Sequence, residues 1–235
     1  MTEVVFELDG IPVPVDVVGP GRKARLTVEG DGSLRLRAAS DVATDELSGF
    51  LESKRGWVHR KLSEKEAFDL EPVVKELVDG EGFTYLGRNY RLKLADVNEV
   101  RLEGGRLRLP IAGDVDGPAA LVHWYSTRGI EWAKPRARAL AERLRVETTS
   151  LTIADLGHKW GSTSPGGRVR LHWATFQLRP GLVDYVVAHE FAHVREPHHG
   201  AAFWQLLARV MPDYADRKEE LARTGARLWM GATAR

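Results

Sequence analysis

The chain has 235 residues, 43% hydrophobic and 29% charged, an ordinary balance for one large globular domain or two small ones. Its 34 basic and 33 acidic residues leave a net charge of +1, so the composition does not indicate a strong nonspecific nucleic-acid binder. Cysteine is absent, which excludes disulfides, thiolate zinc sites and cysteine nucleophiles and leaves His, Asp and Glu to hold any metal.

The amino terminus, MTEVVFELDG, carries three acidic residues and lacks the basic-then-apolar layout of a signal peptide. No run approaches the roughly 18 apolar residues of a membrane span, so a soluble protein of the reduced cytoplasm, away from the membrane, is expected. The first forty residues read as strands. EVVFELDG and IPVPVDVV flank the turn pair Asp9-Gly10, and RKARLTVEGDGSLRLRAA alternates about EGDG as a second hairpin. Leu47, Phe50, Leu51, Trp57, Val58 and Leu62 recur at helical spacing, predicting a helix over about 44–68. FTYLGRNYRLKL, then EVRLEGGRLRLP turning at Gly104-Gly105, form a second β region. AGDVDGP, from Ala112 to Pro118, reads as a linker, dividing a β-rich N-terminal region with one helix (1–112) from a second domain (113–235).

Beyond it, 119–146 has helical periodicity interrupted by Pro135, which implies a kink or short break. SLTIADL and RVRLHWATFQL read as strands separated by the loop GHKWGSTSPGG. A histidine-bearing helix comes next, then a helix over AAFWQLLARVM stopped by Pro212, and a last helix from about Tyr214 to Trp229. No internal repeat is visible in the residues.

Four of the eight histidines fall in VVAHEFAHVREPHHGAAFW, residues 186–204. His189 and His193 are four apart and share one helix face, with Glu190 beside the first. HEFAH is thus the H-E-x-x-H pattern, in which two His bind zinc and the Glu takes a proton from the attacking water. Val183, Val187, Phe191 and Val194 form one apolar stripe, and Leu182, Tyr185, Val186 and Ala188 leave little of the helix for solvent, so burying two imidazoles and a carboxylate there without partners would cost several kcal/mol. A metal removes that cost; the alternative is a set of satisfied polar residues in a core. Pro197 should end the helix near Glu196 and let the chain fold back. His199, six residues after His193, has the spacing of the third ligand in H-E-x-x-H-x-x-G-x-x-H, although Glu196 replaces the glycine. His198 and Glu196 are the other nearby candidates. Glu219 and Glu220 are more simply a solvated helix face.

DYVVAHEFAHVREPHHGAAFWQLLARVMPDYADRKEEL resembles the core of the YgjP-like metallopeptidase family, with His199, Phe203, Trp204, Pro212, Asp213 and Tyr214 on its pattern. KWGSTSPGGRVRLHW resembles the family's Trp-Gly-Ser-Cys loop and following strand, and YLGRNYRLKL and RGWVHRKL extend the likeness weakly toward the amino terminus. The resemblance implies an α+β, zincin-like catalytic domain: a small sheet, a backing helix and an active-site helix. It also implies one Zn2+ per chain on His189, His193 and His199, Glu190 as general base, and a peptide or protein substrate. Thr163 stands at the family's usual Cys, removing any thiol role, and His172 where Asn is commoner. His172 reads as a polar residue on a strand, with an oxyanion or substrate contact as the alternative.

Under this reading RVRLHW is the edge that would pair with an extended peptide. Trp160, Trp173 and Trp204 read as packing residues, and Met211 as core filling. Two rival readings are a non-catalytic binding protein secured by a four-ligand zinc, which gives Glu190 no task, and a SprT-like peptidase of nucleic acid-bound proteins, which the net charge does not support.

Overall fold

The computed structural model describes residues 5–20, 24–28, 33–66, 73–111, 115–157 and 159–234, with backbone alone for 60–66. The chain divides into two compact units, 1–69 and 70–235. In the first, β1 (Val5–Leu8) and β2 (Ile11–Val18) form the expected hairpin. Its turn has φ of 52° at Asp9 and 82° at Gly10, the two positive values a two-residue turn of this hand requires. β3 (Arg25–Val28) and β4 (Leu34–Ala39) make the second hairpin, whose EGDG turn lies outside the described residues. Alternation sets the faces: Leu34, Leu36 and Ala38 are buried while Arg35 and Arg37 are exposed. β2 runs parallel to β4, giving the order β1-β2-β4-β3. α1 (Thr44–Glu66) packs Leu47, Leu51 and Val58 onto that face; its expected end at Phe68 lies outside the described residues.

The second unit opens with β5 (Val73–Lys75), then β6 (Gly82–Tyr85), β7 (Arg88–Ala95), β8 (Arg101–Glu103), β9 (Arg106–Pro110) and α2 (Gly117–Leu144). The boundary expected at 112/113 falls inside this unit. Phe83, Leu92, Leu107 and Leu109 share one apolar core with Leu121, Tyr125 and the rest of the unit, so these strands belong with the helices and strands C-terminal to them. Within AGDVDGP, residues 112–114 are outside the described set. The rest starts a helix: Asp116 Oδ1 accepts from Ala119 N at 3.0 Å and Pro118 occupies the first turn. α2 then runs through Pro135 without a break and ends where Arg145 turns left-handed at φ 54°.

An internal repeat is present after all, in arrangement rather than in residues. The second sheet has the order β6-β7-β9-β8, with β6–β7 and β8–β9 antiparallel and β7 parallel to β9, as in the first. Both first hairpins join a four-residue strand to an eight-residue one through two residues, and Leu86 and Gly87 have φ of 48° and 75°. Registers correspond. Phe6 faces Val13 as Phe83 faces Tyr90, and the row Leu26–Leu36–Val15 matches Leu102–Leu107–Leu92. Each sheet is followed by one long helix. The same ββββα module is therefore built twice, over 5–66 and 82–144.

The remaining elements build the site. β10 (Ser150–Ala154), β11 (Gly161–Thr163) and β12 (Arg168–His172) form a sheet ordered β10-β12-β11. The expected loop 157–167 thus contains an edge strand, and β12, expected at an edge, lies between two partners. RVRLHWATFQL stops being a strand at His172, whose Nδ1 accepts from Ala174 N at 3.0 Å and starts a 3-10 turn over Trp173–Gln177. α3 (Pro180–Ala192) comes next, with Pro180 in its first turn. Its valines are indifferent helix formers, and burial of Leu182, Val183, Val186, Val187 and Phe191, each worth about 1.5–3 kcal/mol, overrides propensity. α4 (Ala201–Val210) ends before Pro212 as expected. α5 (Tyr214–Gly225) ends short of Trp229, which instead begins β13 (Trp229–Thr233), parallel to β5. No helix among the described residues is long and apolar enough to cross a membrane.

The two module helices differ at their thirteenth residue. A Cβ on Gly129 of α2 would lie 2.3 Å from the Phe176 ring, whereas one on Gly56 of α1 would meet nothing within 4 Å. Gly129→Ala should lose about 1–3 kcal/mol in denaturant unfolding, and Gly56→Ala should gain up to about 1 kcal/mol. Equal effects from the two would contradict this packing.

Candidate metal centre

The imidazoles of His189, His193 and His199 converge from three directions. His189 projects from α3, His193 caps that helix, and His199 returns from the turn after Pro197. Regular helix stops at Ala192, slightly before the expected Glu196, but Glu196 N still bonds Ala192 O at 2.9 Å, so the reversal is tight. The Nε2 atoms of His199 and His189 are 2.9 Å apart, and those of His193 and His199 3.1 Å. All three ligand atoms lie within 4.8 Å of one another.

Tautomers favour lone pairs toward the centre. His193 Nδ1 is 3.0 Å from Glu196 O, so Nδ1 carries the proton and Nε2 is bare. Burial, then the neighbouring imidazoles and Lys218, pushes His189 down to about 3; burial, His193 and Lys218 also lower His199. A proton on His199 Nε2 could serve only one of its two neighbours. One cation could serve all three. Nitrogens 2.0–2.1 Å from a tetrahedral zinc would stand about 3.3 Å apart, close to the two spacings made by His199, and all three lie within 4.8 Å, so the donor set fits zinc.

Aromatic rings hold the imidazoles in place. Phe203, fully buried, has its centroid 5.0, 4.6 and 4.7 Å from those of His189, His193 and His199. Trp204 stacks on His199 at 5.5 Å and on Tyr214 at 5.3 Å, and its Nε1 donates to His199 O at 3.1 Å. Trp204 is thus more than general packing: it fixes the ring and backbone of His199. The sequence signal was its place five residues after that histidine.

Glu190 points to the edge strand. Thr163 Oγ1 lies 2.8 Å from both Glu190 Oε2 and Glu190 O. Its one proton can go to the carboxylate when Glu190 is ionised, or to the carbonyl when a protonated Glu190 donates to the hydroxyl, so both states are accommodated. A Cβ on Gly161 would lie 2.5 Å from Glu190 Cγ, so β11 approaches this closely only with glycine there. Burial pushes Glu190 up from 4.5 to about 7, against the Thr163 hydrogen bond and the Lys159 charge.

The other candidates lie apart. His198 and the Glu196 carboxylate are outside the convergent set. Glu220 is paired with Arg179, and Glu219 with Arg223 at 3.6 Å. His172 is buried, with Nδ1 accepting from Ala174 N and Nε2 3.3 Å from Asp155 Oδ1. Both nitrogens are occupied within the protein, as for a structural residue at a strand end. Met211 is buried in the core.

The family description "YgjP-like, metallopeptidase domain" matches residues 22–224, most of the chain, so the chain belongs to the YgjP-like metallopeptidase family. Among solved structures, the metallopeptidase zymogen of Pyrococcus abyssi abylysin aligns at 21% identity with a TM-score of 0.37, covering 42% of this chain and 98% of that one. No curated protein matches the chain significantly.

Because Glu190 titrates higher folded than unfolded, the metal-free folded state holds a proton that the unfolded chain releases between about pH 4.5 and 7. That contribution to stability is present below the window and is lost as pH rises through it. The unfolding free energy of the metal-free chain minus that of Glu190→Gln should therefore fall from about pH 4.5 to 7, the histidine contributions cancelling. A difference that is flat or rises with pH would contradict the burial described.

Proposed function

We propose that this member of the YgjP-like family is a zincin-type peptidase that binds one zinc per chain through His189, His193 and His199 and uses Glu190 as general base. The observation that carries the reading is the convergence of three imidazoles, together with the buried carboxylate of Glu190, the residue after His189, which accepts a hydrogen bond from an edge strand. Three neutral imidazoles suit zinc and leave a coordination position open, and a fourth His, Asp or Glu does not join the set among the described residues. This favours catalysis over a structural zinc.

When bound, zinc supplies a Lewis acid that acidifies water and polarises a peptide carbonyl. Glu190, near neutrality, takes the proton from the attacking water and returns it to the leaving amine. Thr163 holds the carboxylate in either protonation state, so its orientation survives the transfer. An extended substrate would pair along the free side of β11, since β12 has neighbours on both sides. His172 serves the fold rather than an oxyanion, because its ring nitrogens are engaged.

Hydrolysis of a fluorogenic peptide library by Glu190→Gln should fall about 10²–10⁴-fold while metal content is kept. Thr163→Val should lower kcat with little change in KM, and Thr163→Ser should restore most of it. Normal turnover by Glu190→Gln would overturn the general-base assignment.

A further inference from the structure

In the second copy of the ββββα module, the β6–β7 turn and α2 grip the segment that leads into α3. Leu86 N donates to Phe176 O at 2.8 Å and Gly87 N to Gln177 O at 3.3 Å. The Phe176 ring fills the space a side chain on Gly129 would take, and Arg179 Cα lies 2.9 Å from where a Cβ on Gly87 would stand. Two N–H groups and a glycine-floored aromatic slot thus hold one short stretch of chain.

The first copy has the same parts. Asp9 and Gly10 repeat the turn, with φ of 52° and 82° against 48° and 75°. Arg55-Gly56 stands at the twelfth and thirteenth residues of α1, as Arg128-Gly129 does in α2. In both copies the helix residue before this glycine is held by the end of the first hairpin. Asp9 is paired with Arg55 at 3.1 Å and His59 at 2.6 Å, while Tyr85 Oη donates to Arg128 O at 3.3 Å in the second copy. Here, however, the cradle is open: a Cβ on Gly10 or Gly56 would meet nothing within 4 Å, and both residues are exposed. Among the described residues no acceptor faces the Asp9 or Gly10 N–H groups.

We propose that the N-terminal module is a peptide-recognition unit. Its Asp9–Gly10 turn and Gly56 slot receive a segment of a protein substrate bearing an aromatic residue whose own carbonyl and the next accept the two turn N–H groups, as Phe176 and Gln177 do in the second copy. The occupant's chemistry is read from that internal example, and the binding does not depend on zinc or on Glu190.

The test uses a fluorescein-labelled peptide WATFQLR, the sequence of residues 173–179, and its counterpart with alanine for phenylalanine. Anisotropy titrations are run against the full chain kept metal-free so that nothing is cleaved. Wild type should bind WATFQLR and bind the alanine peptide about tenfold more weakly. Gly56→Leu, at an exposed helix position where an added Cβ meets nothing within 4 Å, should lower affinity for WATFQLR about tenfold with unchanged thermal stability or a small gain. Absence of binding, equal binding by wild type and Gly56→Leu, or binding relieved only by self-association of the chain would each overturn the inference. None of those outcomes bears on zinc content or on Glu190→Gln hydrolysis, so the two readings fail separately.

Discussion

The Nε2 of His199 stands about 3 Å from those of both His189 and His193, and one neutral imidazole has only one proton to share. That crowding is what the surrounding structure sustains. Phe203 floors all three rings, Trp204 clamps His199 from the side and through its carbonyl, and Tyr214 backs Trp204. α3 is buried on most sides, so neither His189 nor Glu190 can relax into solvent without unpacking Val186, Val187 or Phe191. A proposed zinc turns this arrangement from an electrostatic problem into a binding site.

The edge strand β11 ties that centre to its chemistry. Only three residues long, it brings Thr163 to the Glu190 carboxylate and leaves room for it at Gly161. Among the described residues no strand pairs with its other side, so the residues that orient the proposed base adjoin the backbone that a peptide would pair with. The longer β12 lies inside this mixed sheet and the short β11 at its edge.

Local chemistry was legible in the sequence, and long-range pairing was not. H-E-x-x-H, the six-residue step to His199 and the Phe203-Trp204 pair are set by spacing, and Asp9-Gly10 and Gly104-Gly105 turn where their residues predict. GSTSPGG looked like a loop because three residues of strand carry no period, and their strand character comes from pairing with Val169 to Leu171. Trp229 looked helical for the opposite reason: α5's pattern runs into it, but its partner is Val73, distant in sequence. Asp116-Gly117-Pro118 has linker composition and is a helix cap. The module duplication was hidden because each copy keeps alternation, turn geometry and register while sharing few residues, and because the division at 69/70 lies in a stretch without a composition signal.

Duplication also bears on how the enzyme is organised. One copy of the module lies inside the unit that carries the three histidines, where it fixes the segment entering α3, and the other stands in a unit with its own core. The proposed hydrolysis requires the three histidines to bind an ion. The most direct measurement is zinc per chain by elemental analysis after zinc loading and desalting, for wild type and His199→Ala together. The three-histidine site predicts about one zinc in wild type and little in the variant. A wild-type chain without metal, or a variant that keeps a full equivalent, would contradict it.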